Sequence, residues 1–356
     1  MLRVLILLCT FAAMLPGQDN TIAVIGLRHS HVWGHIGKMI AGKPARLVGV
    51  AETIPDVIAE AKKRGVPDEL FYADYNKMLD EKKPAMVWAF VENNRHVEIL
   101  KACAPRKVHV IFEKPLAATH KEAQMIRDLA QKHGVYVLTN YQMAWWPANF
   151  AAKRVTDSGE IGQVWRLRGI VGHGGPGNSS GLNKTFFDWL TDPVKNGAGA
   201  LMDFGCYNAL WSLMYLGKPE KVYAHVNQLR PSEFPKVEDN STMILSYKNG
   251  VGLFEGSWDL PQSFQDLEVF GLKGSVYMKN GQVSVKKGRN VPPTELQLET
   301  LPAERAEPIA YMLECIRTKR APEGMTAVDI NVDVVEIIDA AKLSLKDGKA
   351  VKLPLR

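Results

Sequence analysis

The chain has 356 residues, of which 44 are lysine or arginine and 38 are aspartate or glutamate, giving a formal charge of +6. This length predicts two domains, and a hydrophobic content of 46% with 23% charged residues is ordinary for a globular protein. No cluster of basic residues with interleaved aromatic side chains stands out, which argues against a nucleic-acid partner. The modest positive charge supports no more than an attraction to anionic ligands.

The first 17 residues have the pattern of a signal peptide. Arg3 supplies a positive charge, Val4 to Leu15 carries none, and Pro16-Gly17 ends the run with a small residue suited to cleavage. The run is too short to cross a bilayer. We therefore expect an exported protein, periplasmic or secreted, with no membrane span after residues 1–17 are removed. A buried first strand is the alternative interpretation of this run.

Outside the predicted leader, which contains Cys9, the chain has three cysteines, Cys103, Cys206 and Cys315. Their odd number and wide spacing match neither a disulfide framework nor a zinc motif. We therefore predict no metal site, and the sequence leaves open whether one pair forms a disulfide.

A strand from Thr21 to Gly26 precedes a helix from Val32 to Ile40, for which Ser30 is the predicted N-cap. Strand, glycine and helix in this order open a dinucleotide-binding βαβ unit. The G-x-G-x-x-G motif is only partly present, because Arg28 and His31 occupy the second and third glycine positions. An arginine beside a helix N-terminus can still donate to a phosphate.

The second predicted strand, Arg46 to Ala51, is followed by Glu52. An acidic residue at this point is placed to accept a hydrogen bond from the ribose 2′-hydroxyl of NAD, whereas it would repel the 2′-phosphate of NADP. The sequence therefore predicts NAD as the cofactor, with NADP disfavoured. A surface glutamate at the start of a helix is the alternative interpretation.

Three further strands complete the predicted first domain, residues 18–141. They are Met86 to Val91, Val108 to Phe112 and Val135 to Thr139, with helices between them. Strands alternating with helices predict a parallel, doubly wound, Rossmann-type sheet in an α/β protein. The fourth strand ends in Glu113-Lys114-Pro115, so Lys114 lies at the carboxyl edge, where ligands bind in such sheets. The alternative for Lys114 is a solvated side chain.

Residues 142–356 predict a second, α+β domain with a largely antiparallel open sheet, used for substrate binding and oligomerisation. Six segments have strand character, and Asn249-Gly250 between two of them indicates a hairpin. A C-terminal helix over residues 329–347 has one apolar face that can pack back on the first domain. An open sheet of this kind often covers its outer face in an oligomer, so we expect a homodimer or homotetramer.

Two segments of the second domain have the character of a site. The glycine-rich loop Gly172 to Gly177 contains His173 and predicts either a lid or a surface excursion. In the segment Asn196 to Leu210, Asp203 and Tyr207 are four residues apart, which places both on the first turns of a helix if Asp203 opens it. A helix cap and a core tyrosine are the alternative interpretation.

Taken together, these segments resemble the Gfo/Idh/MocA family of oxidoreductases. Glu113-Lys114-Pro115 is similar to the Glu-Lys-Pro motif of that family, and Asn93 with His96 to its Asn-x-x-His. Ser158 to Gly162 resembles the entry into its second domain, and Gly197 to Gly205 its glycine-rich active-site helix. The resemblance runs from about Thr21 to the C-terminus, and the order and spacing of the motifs make it specific.

The resemblance implies an NAD(P)-dependent oxidoreductase that acts on a sugar or polyol-like small molecule. It implies Lys114, Asp203 and Tyr207 as catalytic residues, and these three with His173 as substrate contacts. The implied cofactor contacts are Gly26, Arg28, His29, Ser30, His31, Glu52, Asn93, His96, Glu113 and Lys114. Lys114 is expected to lower the pKa of Tyr207, because a nearby ammonium favours the phenolate.

The chain also departs from the family pattern. Many members have histidine where this chain has Tyr207, and a tyrosine there is similar to the glucose–fructose oxidoreductase branch. Glu92 stands where proline is common, and Leu210 where aspartate is frequent. Two alternatives to a dehydrogenase therefore remain open: an NAD-dependent glycosidase that recycles its cofactor, and a non-catalytic sugar-binding relative.

Overall fold

The computed structural model describes residues 20–355, so the predicted leader, residues 1–17, lies outside the described residues, as does Cys9. The first domain alternates six strands with five helices: β1 Thr21–Ile25, α1 Val32–Ile40, β2 Arg46–Ala51, α2 Pro55–Lys63, β3 Phe71–Tyr72, α3 Tyr75–Lys82, β4 Met86–Ala89, α4 His96–Cys103, β5 His109–Glu113, α5 His120–His133 and β6 Val137–Asn140.

These six strands form one parallel sheet in the order β3-β2-β1-β4-β5-β6. Strands β1, β4 and β6 are buried throughout, as expected where helices cover both faces. Chain order reverses between β1 and β4, and this switch point opens a crevice at the carboxyl ends of the strands. The predicted doubly wound sheet is confirmed, although the sequence did not reveal the two-residue strand β3.

Several predicted boundaries need correction. The N-cap of α1 is His31 and not Ser30, and the fourth predicted strand continues to Glu113. The capping box of α5 is formed on its Thr119 side, where the hydroxyl accepts the N–H of Glu122 at 3.3 Å. The Glu122 carboxylate instead accepts the Thr119 hydroxyl at 3.0 Å, so the reciprocal bond to the backbone is missing.

The second part of the chain contains the remaining elements: α6 Pro147–Asp157, β7 Val164–Gly172, α7 Asn183–Leu190, α8 Ala200–Asp203, α9 Gly205–Leu216, β8 Lys221–Asn227, β9 Asn240–Tyr247, β10 Gly250–Ser257, β11 Phe264–Gly271, β12 Gly274–Lys279, β13 Gln282–Lys287, β14 Thr294–Glu295, α10 Pro308–Thr318, α11 Val328–Asp347 and β15 Val351–Lys352.

Strands β7 to β15 form a mixed sheet in the order β14-β13-β12-β11-β7-β10-β9-β8-β15. Its pairs are antiparallel except for β7 with β10, which confirms the predicted, largely antiparallel sheet. The predicted hairpin is present, since Tyr247 pairs with Gly250 across a two-residue turn. The edge strands were not apparent from the sequence.

The two C-terminal helices return to the first domain. Ile309 and Met312 of α10 join the core on one face of the parallel sheet, and Val332 and Val335 of α11 join the core on the other. The opposite side of α11, including Ile338, belongs to the core of the second domain. Helix α11 is therefore packed between the two domains. Within residues 20–355, none of the helices combines the length and apolar character needed to cross a membrane.

We predict opposite effects for two glycine-to-alanine substitutions. At Gly199, just before α8, a Cβ atom would lie 1.9 Å from the carbonyl oxygen of Glu238, so Gly199→Ala forces backbone apart and should lower the free energy of unfolding by about 1–3 kcal/mol. Gly37 in α1 has no atom within 4 Å of that position, and Gly37→Ala should raise the free energy by about 0.5–1 kcal/mol. Urea unfolding of both variants measures the difference, and equal effects would contradict it.

Candidate active site

An ion pair between the two domains forms the centre of the site. Lys114 follows β5 and donates from Nζ to the Asp203 carboxylate, and also to the Asp203 carbonyl oxygen at 3.1 Å. The other carboxylate oxygen accepts Nε1 of Trp258 at 2.9 Å. Both charged side chains are less than a tenth exposed. The structure thus holds the lysine of the Glu-Lys-Pro motif by one carboxylate, which is itself fixed by an indole.

This pair is an ammonium and a carboxylate. Burial lowers the pKa of Lys114, but the attraction of Asp203 outweighs burial and leaves the pKa above its usual value. Burial raises the pKa of Asp203, and the charge and hydrogen bond of Lys114 outweigh that effect and hold the pKa below its usual value. Each group therefore keeps the other charged in a place where neither would be charged alone.

Tyr207 is buried in the first turn of α9, and its ring centroid lies 5.2 Å from Nζ of Lys114. Burial raises the pKa of Tyr207 well above its usual value, and Lys114 opposes this shift only in part. The expectation that the ammonium brings the pKa below its usual value is therefore wrong in this structure, because burial penalises the phenolate more than the cation favours it. Asp203 closes α8 rather than opening a helix, which corrects the second expectation for this segment.

One cavity of about 200 Å³ collects the predicted substrate contacts. Lys114, Asp203, Tyr207 and His173 line it together with three residues of the β1–α1 loop, His29, Ser30 and His31. The Nδ1 atom of His173 accepts the N–H of Gly175 at 3.1 Å, so neutral His173 carries its proton on Nε2. Burial lowers the pKa of His173, which keeps that ring a neutral hydrogen-bond donor.

A second, smaller cavity lies at the carboxyl ends of β1 and β2, and Gly26, Arg28 and Glu52 line it. Glu52 is 6% exposed, and its carboxylate accepts the N–H groups of Leu27 at 2.9 Å and Thr53 at 2.6 Å. Nε of Arg28 lies 3.5 Å from the same carboxylate. Glu52 therefore takes the predicted place at the ribose end of a dinucleotide crevice.

The residues present fit a dinucleotide at the first glycine. Gly26 has a φ of +80°, and a Cβ atom there would lie 2.5 Å from Cγ1 of Val91 and 2.9 Å from the Phe90 carbonyl oxygen. Only glycine satisfies both conditions, so this position keeps the tight turn that such crevices need. Gly26, the loop 28–31 and Glu52 are the residues that would hold the cofactor.

Three of the predicted cofactor contacts are interior residues that line neither of these cavities. Nδ2 of Asn93 donates to Asn196 at 2.7 Å and so links the domains. His96 is fully buried, stacks on Phe112 and bonds the Leu116 carbonyl oxygen at 2.9 Å. Both residues therefore position the segment around Lys114 and have no direct access to the cavity.

Glu113 is the third interior residue and has no exposed surface. Its carboxylate accepts Nε1 of Trp88 at 3.1 Å, Nδ2 of Asn140 at 3.0 Å and Nδ1 of His31 at 2.9 Å. Burial raises the pKa of Glu113, but the charge and hydrogen bond of His31 prevail and bring it to about 2. Glu113 is thus an anion whose contact with the cavity passes through His31.

His29, His31 and Glu113 place potential metal-ligating atoms within 4.8 Å of one another. Their hydrogen bonds do not suit a metal ion, however. Nδ1 of His29 accepts the N–H of His31 at 3.2 Å, so neutral His29 carries a proton on Nε2, and a ligand nitrogen must have a free electron pair.

The structure also adds residues that the sequence did not single out. Trp258 at the end of β10 fixes Asp203, and Trp189 of α7 donates to the Arg28 carbonyl oxygen at 3.2 Å. Phe186 of α7 packs against His29, with ring centroids 5.0 Å apart. These are aromatic residues in apolar surroundings, and the sequence gives no signal that separates them from core residues.

The parallel sheet, the switch-point crevice and the lysine at its edge define a dinucleotide-binding oxidoreductase. Residues 21–141 match the profile described as the oxidoreductase family with an NAD-binding Rossmann fold, and residues 150–277 match the Gfo/Idh/MocA C-terminal domain. The chain belongs to the Gfo/Idh/MocA family of NAD(P)-dependent oxidoreductases.

Similar proteins have names that refer to sugars and polyols. The chain is 27% identical to D-xylose 1-dehydrogenase (NADP(+)) 2 of Haloferax volcanii over 86% of this chain and 97% of that protein. It is 26% identical to myo-inositol 2-dehydrogenase of Thermotoga maritima over 73% of this chain and 75% of that protein. The aldose-aldose oxidoreductase of Caulobacter crescentus, complexed with glycerol, has a similar fold, with a TM-score of 0.79 at 20% identity over 94% of this chain and all of that one.

We predict that breaking the Lys114–Asp203 pair destabilises the protein more than removing both charges. Asp203→Asn keeps the acceptor of Trp258 but leaves a buried ammonium unpaired, and should lower the free energy of unfolding by about 3–5 kcal/mol. The double variant Lys114→Met/Asp203→Asn should recover part of that loss. Urea unfolding of the two single variants and the double variant measures this interaction.

The same variant has a defined pH dependence. Without Asp203, burial pushes the folded-state pKa of Lys114 below that of the unfolded chain, so the unfolded state binds more protons. The stability of Asp203→Asn should therefore rise relative to the wild type as the pH increases from 7 towards 10. Equal pH profiles for the two proteins would contradict this account of the pair.

Proposed function

We propose that this protein is an exported enzyme that transfers a hydride between a CH–OH group of a sugar or polyol and NAD. The observation that carries the proposal is the Lys114–Asp203 pair, which lines one cavity with Tyr207 and His173 at the carboxyl edge of the parallel sheet. The names of the xylose and inositol dehydrogenases support a carbohydrate-like substrate.

When it is bound, the nicotinamide ring supplies the hydride chemistry. Lys114 is the donor for the reacting substrate oxygen, since its charge is secured by Asp203 and its Nζ lies at the cavity. Trp258 fixes Asp203 and so positions Lys114 indirectly. His173 donates from Nε2 to a further substrate oxygen, because Gly175 occupies Nδ1.

Tyr207 is the group that moves the hydroxyl proton. Burial keeps the pKa of this phenol above its usual value, so that it is protonated at neutral pH and can donate when a carbonyl is reduced. In the direction of oxidation it must accept a proton, and Lys114, 5.2 Å from the ring centroid, then stabilises the phenolate.

Two further features belong to the proposal. The relatives are named dehydrogenases, which favours net hydride transfer over a glycosidase that recycles its cofactor. A homodimer or homotetramer would cover the outer face of the second sheet, where Tyr223 is 40% exposed opposite Ile244.

The test of the proton-transfer assignment uses Tyr207→Phe, which keeps the ring and removes only the hydroxyl. With D-xylose or myo-inositol and NAD, or with a substrate found by screening such compounds, its turnover should fall by about two to four orders of magnitude. Lys114→Met should also lower turnover, and should move the alkaline limb of any residual activity upward, because the phenol loses its neighbouring cation.

The double variant distinguishes one unit from two independent groups. If the two side chains act together, Lys114→Met/Tyr207→Phe should be little worse than either single variant. Losses that multiply would mean independent action. Full turnover in Tyr207→Phe would reject Tyr207 as the proton-transfer group, and His173→Gln would then be the next variant to measure.

The cofactor preference rests on Glu52. Its buried carboxylate lines the ribose end of the crevice, so NAD should bind more tightly than NADP, and Glu52→Gln should reduce that difference. Arg28 and Arg95 line the same cavity and act in the opposite direction. Calorimetric titration of both nucleotides decides, and NADP binding as tight as NAD would remove Glu52 from its assigned place.

Export is the remaining part of the proposal and rests on the pattern of residues 1–17. Intact-mass measurement of the natively produced protein should show the loss of about the first 17 residues, with the uncertainty usual for a cleavage site. A full-length product recovered from the cytoplasm would contradict export while leaving the proposed reaction untouched.

A further inference from the structure

The β1–α1 loop has few backbone donors to offer a ligand. The N–H groups of Arg28 and His29 both donate to the Phe90 carbonyl oxygen, at 3.0 and 3.2 Å. The N–H of Leu27 donates to Glu52, and that of His31 to Nδ1 of His29. In a glycine-rich loop such groups are what binds the diphosphate of a dinucleotide. In this chain other donors have to take over that task.

The rings of His29 and His31 provide such donors at the same place. Both line the cavity that contains Lys114, and their centroids lie 4.3 Å apart. His29 is 2% exposed and presents Nε2–H, because its Nδ1 is occupied by a backbone N–H. His31 is bonded to Glu113 through Nδ1, so its Nε2 becomes a second donor when the ring is an imidazolium.

The position of His31 also lies on the path of the cofactor. His31 begins in the loop after β1 and reaches Glu113 at the end of β5, while β4 lies between these two strands. The contact therefore spans the switch point, where the diphosphate of a dinucleotide crosses the sheet. A buried Glu113 anion at this point would repel a diphosphate unless a cation stood between them.

We propose that His29 and His31 bind the diphosphate of the dinucleotide, His29 as a neutral donor and His31 as an imidazolium held by Glu113. This inference rests on the proposed function, because it assigns a pH-dependent role in cofactor binding to two residues of the same site. It accounts for histidines in a loop that otherwise requires glycine.

The surroundings of His31 leave Glu113 as the charge that acts on it most directly. Lys114 and Asp203 neutralise each other as an ion pair. Burial lowers the pKa of the neighbouring imidazoles, so these rings stay neutral. The titratable groups around His31 are His29, His35, Glu113, Lys114, His173 and Asp203.

The experiment measures the affinity of ADP-ribose, which contains the diphosphate without nicotinamide, by calorimetry at pH 6 and pH 8. The wild type should bind it more tightly at pH 6. His31→Gln can donate a hydrogen bond but carries no charge, so it should bind about tenfold or more weakly at pH 6 and lose the pH dependence. His29→Gln should weaken binding about equally at both pH values.

Three controls separate this role from a structural one. Adenosine lacks the diphosphate, so its affinity should be the same in all variants. His133→Gln, at the end of α5 in the first domain, should bind ADP-ribose like the wild type. Glu113→Gln removes the counter-charge of the imidazolium, so the pH at which affinity changes should move downward even if the variant is less stable.

The outcomes have distinct meanings. Wild-type affinity and pH dependence in His31→Gln would overturn this inference alone, as would a wild type that binds ADP-ribose equally at both pH values. A wild-type protein that binds neither ADP-ribose nor NAD would overturn the proposed function and this inference together.

Discussion

The pairing of Lys114 with Asp203 is the interaction on which the site depends. A lysine at the carboxyl edge of a buried sheet keeps its charge only if an anion stays beside it, and this anion comes from the other domain. The position of the second domain therefore determines whether Lys114 is charged. Trp258 and the carbonyl oxygen of Asp203 extend the same contact, so domain packing and proton affinity form one property.

The departures from the family pattern occur in matched pairs. Arg28, at the second glycine position, donates to Glu92, which stands where proline is common, at 2.8 Å. The backbone at Glu92 has a φ of −61°, which proline would also adopt, so only the side chain is new. His31, at the third glycine position, bonds Glu113 at 2.9 Å. Each cation introduced into the loop thus has a carboxylate partner across the crevice.

Much of the fold was predictable because its signals are local. Alternating apolar strands and helices predicted the parallel sheet, and Asn249-Gly250 predicted a hairpin. Lys114 and Asp203 were assigned from motifs, and the structure brings them together. The bonds of Glu113 and the role of Trp258 depend on residues 25 to 82 positions apart, which no periodicity encodes. The pKa of Tyr207 depends on burial, a property of the folded chain.

Helix α11 links the order of synthesis to the order of folding. Its residues Val332 and Val335 complete the core of a domain whose first strand begins at Thr21, so about three hundred residues must be made before that core can close. A nascent chain of this protein therefore remains incompletely packed until its C-terminus is available. Removal of the last thirty residues would accordingly expose apolar surface in both domains at once.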